Sequence, residues 1–331
     1  MNDNFDLLSV GDASMDIYIT PSESESLSQM DDKESFICFA FGEKIPVKSA
    51  ELSVGGNAAN NAVGVTRLGV KTGLVLTLGD DTFGKQIQEK LNAEAVNTTY
   101  VTKQLGISSN FSVIVNYSGE RTIFTYNVPK SYEYPVNLPV TPWMYLTSMG
   151  DTFKPFYNHI TDFLRTKTTI KLAFNPGSRQ IRAGVSEILD ILKLTEVLFV
   201  NREEAEKLTN LSQSLGKEKE LLQALSNLGP KISIITDGVK GSYAFNGSKF
   251  IKAGVLPVDA FERTGAGDAF GSGTLAGIIK GRPLEEALLW GTSNSASVIG
   301  YTGPQRGLIK ENEMDIWLER VRSSEVKVGE F

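Results

Sequence analysis

Cysteine and histidine are almost absent from this chain of 331 residues, since each type occurs once. A single cysteine, Cys38, excludes an internal disulfide and fits a reducing compartment. With His159 as the one histidine, a metal site built from histidine and cysteine ligands is excluded. A Ser-His-Asp triad would have to use His159, and no Gly-x-Ser-x-Gly sequence lies near it. The candidate catalytic groups are therefore carboxylates, backbone amides and an ion bound from solution.

Long apolar runs and a large excess of positive charge are also missing. No apolar run reaches the length of a membrane span, and the first residues lack the basic start of a signal peptide. The net charge of −6 argues against a surface for nucleic acid or for an anionic membrane. We therefore expect no nucleic-acid or membrane partner, and the lone cysteine predicts a cytoplasmic protein.

One glycine-rich stretch organises the rest of the chain. The sequence Gly265-Ala266-Gly267-Asp268 precedes a small, apolar run that predicts a buried helix, and Thr264 is a candidate N-cap. A helix start offers unpaired N–H groups and a positive dipole end, and glycines let a bulky anion approach the backbone. Asp268 would repel that anion unless it has a task of its own, such as accepting a proton from an attacking hydroxyl. These residues alone leave open a plain helix start with an acidic first turn.

The order of predicted elements indicates an α/β fold. Strand-like runs alternate with helical ones, which predicts a mostly parallel sheet with helices on both faces. The predicted core strands are 5–10, 72–78, 144–148, 170–174, 197–200 and 232–236, and a late hairpin covers 241–246 and 249–253. With no repeat and no long linker, residues 1–331 are predicted to form a single domain.

Two β pairs interrupt this alternation. Runs 36–40 and 47–53 predict one pair, and runs 111–117 and 121–126 predict a hairpin, while the polar segment 20–34 is predicted to be a mobile loop. Because these strands stand outside the βα order, we expect a small sheet set apart from the main one.

Polar residues follow the first strand and begin the first helix. Asp12, Ser14 and Asp16 come after strand 5–10, where ligands of open α/β sheets bind, although simple turn acids explain them equally well. Gly55-Gly56 leads into a helix with asparagines at 57, 60 and 61, which serve either as caps or as amide contacts to a polyhydroxylated ligand.

Taken together, these motifs resemble those of the PfkB (ribokinase-like) carbohydrate kinases over nearly the whole chain. The matching segments, in the family's order, are Gly55-Gly56-Asn57-Ala58-Ala59-Asn60-Asn61-Ala62, Asn201-Arg202-Glu203-Glu204, Thr236-Asp237-Gly238 with Gly241, and Gly265-Ala266-Gly267-Asp268. The resemblance implies a three-layer sandwich whose small sheet, about 15–53 and 107–127, is a lid inserted in the α/β core. It further implies ATP-dependent phosphorylation of a hydroxyl of a small carbohydrate, with Mg²⁺ as cofactor and a homodimer formed through the lid.

The resemblance also assigns roles to residues. Asp268 would be the general base, and the amides of Gly265, Ala266 and Gly267 would form the anion hole. Glu204, through water and with Asn201, would order the magnesium ion. The implied substrate contacts are Ser14, Asp16, Gly56, Asn60 and Arg121, and the implied nucleotide contacts are Asn201, Thr236, Gly238 and Gly241.

One departure and two alternatives remain. Where the family usually has an aspartate that helps to hold a monovalent cation, this chain has Glu262, followed by Arg263, so potassium activation is in doubt. A nucleoside kinase of the same family would need an aromatic or apolar slot for the base, for which Phe39, Phe41 and Phe124 are candidates, although packing of the lid explains them equally well. A catalytically inactive sugar-binding module is a further alternative, against which the intact Asp268 stands.

Overall fold

The computed structural model describes residues 4–22, 27–30, 35–117, 120–135, 137–324 and 326–331. The predicted loop over 20–34 therefore lies partly outside the described residues, and residues 118–119, between the two strands of the predicted hairpin, lie wholly outside them. The strands are β1 (Leu7–Val10), β2 (Ser14–Pro21), β3 (Leu27–Met30), β4 (Ser35–Cys38), β5 (Val47–Gly55), β6 (Thr72–Gly79), β7 (Val101–Gln104), β8 (Phe111–Tyr117), β9 (Glu120–Tyr126), β10 (Trp143–Thr147), β11 (Lys171–Asn175), β12 (Thr195–Asn201), β13 (Ile232–Thr236), β14 (Ser242–Phe245), β15 (Phe250–Ala253) and β16 (Val328–Glu330). The α-helices are α1 (Asn57–Arg67), α2 (Thr82–Ala93), α3 (Lys154–Thr166), α4 (Ser178–Ala183), α5 (Leu189–Leu194), α6 (Arg202–Thr209), α7 (Glu218–Asn227), α8 (Ala266–Ile279), α9 (Leu284–Val298) and α10 (Glu311–Ser323).

Ten strands form the main sheet, in the order β16-β15-β14-β13-β12-β11-β10-β1-β6-β7. The strands from β13 to β7 are parallel, and β14, β15 and β16 add an antiparallel edge. Every residue of β1 and β6 is buried, as expected for strands covered on both faces. The mostly parallel α/β sheet predicted from the sequence is thus confirmed.

Helices cover the sheet on two sides because successive strand residues point to opposite faces. Leu8 belongs to a core that includes residues of α3, α5 and α7, whereas Leu7 belongs to a core that includes residues of α8, α9 and α10. Helices α1 and α2 contribute to a third apolar cluster, which also contains Ala269 at the start of α8. This packing places the starts of α1 and α8 against each other.

A separate four-stranded sheet has the order β5-β2-β8-β9 and occupies the position of the predicted lid. Its register gives the two faces different characters. Ser53, Asp16, Ser112 and Thr125 form a polar row across one face, and Leu52, Ile17, Val113 and Phe124 form an apolar row across the other. The polar row is the one that includes a predicted site residue.

Three local predictions were wrong. Strand β5 pairs with β2, and β4 pairs with β3, so 36–40 and 47–53 are not partners. The predicted loop over 20–34 contains strand residues, because Thr20 and Pro21 pair with β5 and Leu27–Met30 pairs with β4. The helix α8 is capped by Gly265 without any side-chain cap, so Thr264 is not its N-cap.

Candidate active site

The candidate site lies where the strand order changes direction. β1 has β10 on one side and β6 on the other, so the connections that leave these strands separate at its carboxyl end. A crevice at this point is the usual ligand site of an open α/β sheet. The residues that follow β1, together with the starts of α1 and α8, surround it.

The N-terminus of α8 is built by a sharp turn at Gly265. Its φ of +78° lies in the left-handed region, and a side chain there would collide with Pro304, whose Cα is 2.6 Å from the ideal Cβ position. The N–H of Ala266 donates to the Arg263 carbonyl oxygen at 3.3 Å. In the part of the chain that the structure describes, the N–H groups of Gly265, Gly267 and Asp268 have no backbone or side-chain acceptor. They are free to bind an anion.

Asp268, in the first turn of α8, is held by Asn60 of α1. The Asn60 side-chain N–H donates to Asp268 Oδ2 at 2.8 Å. Loss of hydration in the crevice raises the pKa of Asp268, and the hydrogen bond from Asn60 opposes that rise. A carboxylate with a raised pKa is a better proton acceptor than a free aspartate, which suits a general base.

Asp16 reaches the same crevice from the polar face of the small sheet. Burial raises its pKa to about 6, against the hydrogen bonds from Ser14 and Ser112, and the charge of Asp268 adds to the rise. The Ser14 hydroxyl donates to Asp16 Oδ1 at 2.9 Å. A Cβ on Gly55 would overlap the Asp16 carboxylate, so this glycine leaves room for it.

Gly56 has a φ of +91° and precedes α1 as its N-cap residue. Its ideal Cβ would lie 2.6 Å from Ala13 Cα, so only glycine fits without moving the backbone. Of the predicted substrate contacts, the structure thus brings Ser14, Asp16, Gly56 and Asn60 to the crevice around Asp268.

Arg121 lies apart from that group. It lines a second cavity of about 230 Å³, between the small sheet and residues 261–263, which neither Asp16 nor Asp268 lines. Arg121 pairs with Asn116 across strands β8 and β9. It lies four residues along β9 from Thr125, the β9 residue of the polar row that contains Asp16, which corresponds to a distance of about 13 Å.

A larger cavity, of about 470 Å³, opens on the other side of α8's first turn. Thr236, Gly238 and Gly241 line it, as does Gly267, whereas the predicted contact Asn201 does not. Its remaining walls are largely apolar and were missed from the sequence, although the run at 255–258 directly follows a predicted strand. These additional lining residues include Val255, Leu256, Pro257, Val258, Phe270, Ala296 and Ile299.

The loop at 236–241 is fixed to α6 by an ion pair. Arg202 donates to Asp237 and to Glu218, both at 2.8 Å, and the Asp237 N–H donates to the Gly241 carbonyl oxygen at 2.8 Å. These contacts shape one wall of the larger cavity. The sequence motif did not indicate this role for Arg202.

Asn201 and Glu204 form a capping box at the start of α6. The Glu204 N–H donates to Asn201 Oδ1 at 2.8 Å, and the Asn201 N–H donates to Glu204 Oε2 at 2.9 Å. Burial raises the pKa of Glu204, and the charge of Asp268 contributes to this rise. Within the described residues no group of three or more His, Cys, Asp or Glu side chains is placed to hold a metal ion.

Two other predicted positions are engaged in structural contacts. Asp12 accepts from Lys130 at 3.2 Å and from the Tyr132 hydroxyl at 2.6 Å, so it ties 130–132 to the end of β1. Glu262 is buried and accepts the Gly303 N–H at 2.9 Å on Oε2, while Oε1 has no partner in the described part of the chain. Arg263 lines both cavities.

None of the described helices is long and apolar enough to span a membrane. The chain matches the model of the pfkB family carbohydrate kinases over residues 5–311, and it therefore belongs to this family. Its members are phosphotransferases that act on hydroxyl groups, and this protein is one of them.

Three relatives illustrate the range of the family. A fructokinase of Klebsiella pneumoniae is 30% identical over 242 residues, covering 68% of this chain and 76% of its own. The structure of an Arabidopsis thaliana ribokinase complexed with ribose and ATP has a TM-score of 0.76 at 21% identity and covers 96% of this chain and 99% of the ribokinase. A Methanocaldococcus jannaschii nucleoside kinase structure has a TM-score of 0.74 at 22% identity, with 95% and 98% covered. The two structural matches establish the ribokinase-like fold.

Proposed function

We propose that this protein transfers the γ-phosphoryl group of ATP to a hydroxyl of a small carbohydrate, with Asp268 as the general base. The observation that carries the proposal is the position of the Asp268 carboxylate. It lies in the same first turn of α8 as Gly267, which lines the larger cavity, and close enough to Asp16 on the polar face of the small sheet for its charge to raise the pKa of Asp16.

We place ATP in the larger cavity because of the character of its walls. The apolar walls around 255–258 suit the adenine ring, and the glycines of the 236–241 loop leave room for the ribose. The triphosphate would then extend toward the N–H groups of Gly265 and Gly267. Ala266 contributes to this turn, although its own N–H donates to Arg263.

The chemistry follows from this arrangement. Asp268 accepts the proton of the acceptor hydroxyl as the oxygen attacks the γ-phosphorus, and ADP leaves with the bonding electrons. The free N–H groups at the start of α8 stabilise the negative charge on the equatorial oxygens of the transferring group. Catalysis of this type consists mainly of positioning and charge stabilisation.

Mg²⁺ fits the oxygen donors at the start of α6. Asn201 Oδ1 and Glu204 Oε2 are occupied by the capping box, which leaves Glu204 Oε1 to hold water molecules of the ion. The bound ion would neutralise charge on the phosphates of ATP. A monovalent cation stays outside the proposal because Glu262 takes the place of the family's aspartate; its Oε2 accepts the Gly303 N–H, and its Oε1 has no partner among the described residues.

Replacement of Glu204 by Gln is expected to raise the Mg²⁺ concentration that gives half of the maximal rate. The amide keeps the size of the side chain but loses the charge that attracts hydrated magnesium. Glu203, an exposed residue in the same turn, offers the matched control Glu203→Gln. Identical magnesium titrations of Glu204→Gln and wild type would leave Glu204 with a capping role only.

Ser14, Asp16 and Gly56 are the proposed contacts to the acceptor's hydroxyl groups. Asn60 is a weaker candidate for a direct contact, because both atoms of its amide group already have partners in the protein. Arg121 enters the proposal only for an acceptor long enough to reach from the Asp16 row into the smaller cavity.

A nucleoside acceptor is less well supported than a sugar. Phe124 belongs to the apolar row, on the face opposite Asp16, so it does not form a slot beside the acceptor. Phe39 and Phe41 are exposed, with Phe41 completely so. Phe124 therefore points away from the acceptor, and neither Phe39 nor Phe41 lines either of the two cavities described above.

Phosphorylation assays with a panel of acceptors test the function. Purified protein, ATP and MgCl₂ would be combined with D-ribose, D-fructose, adenosine or guanosine, and ADP release would be compared with a sample without acceptor. A sugar that accelerates ADP release and is recovered as a phosphate ester supports the proposal. Acceleration by nucleosides alone would favour the alternative.

We further propose that the small sheet closes over the acceptor. The segments of β5 before Ser53 and all of β9 are exposed, so few contacts hold them to the main domain. Hydrogen exchange in 36–53 and 111–126 is expected to slow when the identified acceptor and a non-hydrolysable ATP analogue are added. Exchange in 74–78 and 232–236 should barely change. Equal protection with and without ligand would indicate a fixed interface instead of a lid.

A second copy of the chain is the proposed partner of the apolar row on that sheet. Leu52 is 59% exposed and Phe124 is 61% exposed, and with Ile17 and Val113 they form a continuous apolar strip. Sedimentation velocity should show wild type as a dimer and Phe124→Glu as a monomer.

Two further properties of the protein remain predictions. These are its organisation as a single domain and its location in the reducing cytoplasm, which is based on the lone cysteine.

A further inference from the structure

The amide group of Asn60 is held from both sides. Its N–H donates to Asp268 at 2.8 Å, and its Oδ1 accepts from Gln305 Nε2 at 3.0 Å. Asn60 is 5% exposed and Gln305 is 2% exposed, so both hydrogen bonds are shielded from water. Gln305 lies between α9 and α10 and was not indicated by any sequence motif.

Gln305 is itself anchored to the scaffold. The Arg67 side chain donates to the main-chain carbonyl oxygen of Gln305 at 2.8 Å and to that of Leu308 at 3.0 Å. The same guanidinium forms a two-point ion pair with Glu94, with both distances 2.8 Å. Pro304, the preceding residue, packs against Gly265. The loop therefore contacts the candidate site at two neighbouring points.

The amide orientations of Gln305 and Asn60 are coupled. Gln305 donates to Asn60 Oδ1, and the same orientation of Asn60 turns its N–H toward the Asp268 carboxylate, which can only accept while it is ionised. A reversed Asn60 amide would place its oxygen against the Asp268 carboxylate and its N–H₂ against the Gln305 nitrogen. Gln305 Oε1 is buried without a partner among the described residues, which is a cost that the native arrangement accepts.

We propose that Gln305 is a positioning residue, which holds Asn60 in the one orientation that donates to Asp268. The inference rests on the proposed role of Asp268 as the base. The Asn60 bond holds Oδ2, which leaves Oδ1 of Asp268 for the acceptor hydroxyl. Gln305 is 2% exposed and lines neither of the two cavities described above, so we expect it to act through Asn60.

Other groups around Asp268 make this bond important. Asp16 faces Asp268 from β2, and Glu204 faces it from α6. The negative charges of these carboxylates and of Asp268 repel, which disfavours the charged form of each. The Tyr145 hydroxyl faces it from β10, and Arg263 precedes the turn. Among the described residues, the Asn60 N–H is the side-chain donor that stabilises the ionised Asp268 carboxylate.

NMR titration of the Asp268 carboxyl carbon in protein labelled with [4-¹³C]aspartate tests the proposal without any knowledge of the acceptor. The signal would be assigned by its loss in Asp268→Asn. In Gln305→Leu the pKa of Asp268 is expected to rise by about one unit, because Asn60 is free to turn its donor away. Gln305→Glu should produce at least the same rise while its new carboxyl group is ionised, since that group cannot donate to Asn60.

Gln180 provides a matched control. It too is a buried glutamine that donates one hydrogen bond, to the Met149 carbonyl oxygen at 2.9 Å, and its Oε1 also lacks a partner among the described residues. Gln180→Leu should therefore lose similar thermal stability while the Asp268 titration stays at the wild-type value. If Gln305→Leu does not fold, Gln305→Met, which keeps the length of the side chain and adds no charge, carries the test.

The kinetic readout is the pH profile of kcat/KM with the sugar that the panel identifies. Its acidic limb should move to higher pH in Gln305→Leu by the shift that NMR measures, and should stay in place in Gln180→Leu. If the Asp268 carboxyl group of the Gln305→Leu variant titrates as it does in wild type, the inference is overturned. Full activity of Asp268→Asn would instead overturn the role of Asp268 as the base, and the NMR comparison would still decide whether Gln305 orients Asn60.

Discussion

Replacement of Asp268 by Asn is expected to lower kcat by about 10²- to 10⁴-fold, which is the usual contribution of a general base. The amide cannot accept the proton of the acceptor hydroxyl, although it keeps the size of the side chain at the start of α8. The apparent affinity for ATP should change little, because the free N–H groups of the turn and the larger cavity are untouched. Steady-state kinetics at saturating acceptor would measure both quantities.

Asp81 supplies a control for this substitution. It also stands at a helix start, where its carboxylate accepts the Gly84 N–H at 2.7 Å as the N-cap of α2. Asn is nearly as good an N-cap as Asp, so Asp81→Asn should leave kcat within about twofold of wild type. Wild-type turnover by Asp268→Asn would exclude Asp268 as the base and would direct attention to Asp16.

Replacement of Gly265 by Ala is the second change with a large expected effect. The new Cβ would meet Pro304 in a backbone conformation that disfavours side chains, since φ is +78°. The turn must then shift, and the N–H groups at the start of α8 move away from the transferring phosphoryl group. We expect kcat to fall by about 10²- to 10³-fold, as when a donor of an oxyanion hole is removed.

Gly106→Ala separates the effect on the anion hole from backbone strain alone. Gly106 has a φ of +75°, and nothing lies within 4 Å of its ideal Cβ position. This variant should lose about 1–2 kcal/mol of unfolding free energy and keep full activity. Gly265→Ala should lose at least as much stability, measured by urea denaturation, together with its activity. If its kcat equals that of Gly106→Ala, the turn does not form the anion hole.

Much of the site follows from local sequence. A helix start with two glycines and an aspartate can be recognised from the Gly265–Asp268 segment because helix geometry exposes N–H groups wherever a helix begins. Alternating βα runs predict the parallel sheet, since fully buried strands and amphipathic helices have different apolar periods. The nucleotide loop residues Thr236, Gly238 and Gly241 were predicted from their motif, and they line one cavity together.

The paths of the strands in the small sheet required the tertiary structure. Strand pairing joins segments that are distant in the chain, and β2 pairs with both β5 and β8. A sequence pattern shows which residues share a face of a strand, but not which strand lies beside it. For this reason the sequence left Phe124 as a candidate for a slot that binds a nucleoside base. Only the strand register showed that Phe124 lies on the face of the small sheet that points away from Asp16.

The sequence by itself determined the family's motifs, the α/β order and the position of the proposed base, because each depends on residues close together in the chain. Only the tertiary structure decided how that base is held. Gln305 is 245 positions from Asn60, and Asn60 is 208 positions from Asp268. An amide side chain can donate or accept in either orientation, so its role depends on the partners that folding brings to it. Packing α1, α8 and the 303–305 loop together makes that choice.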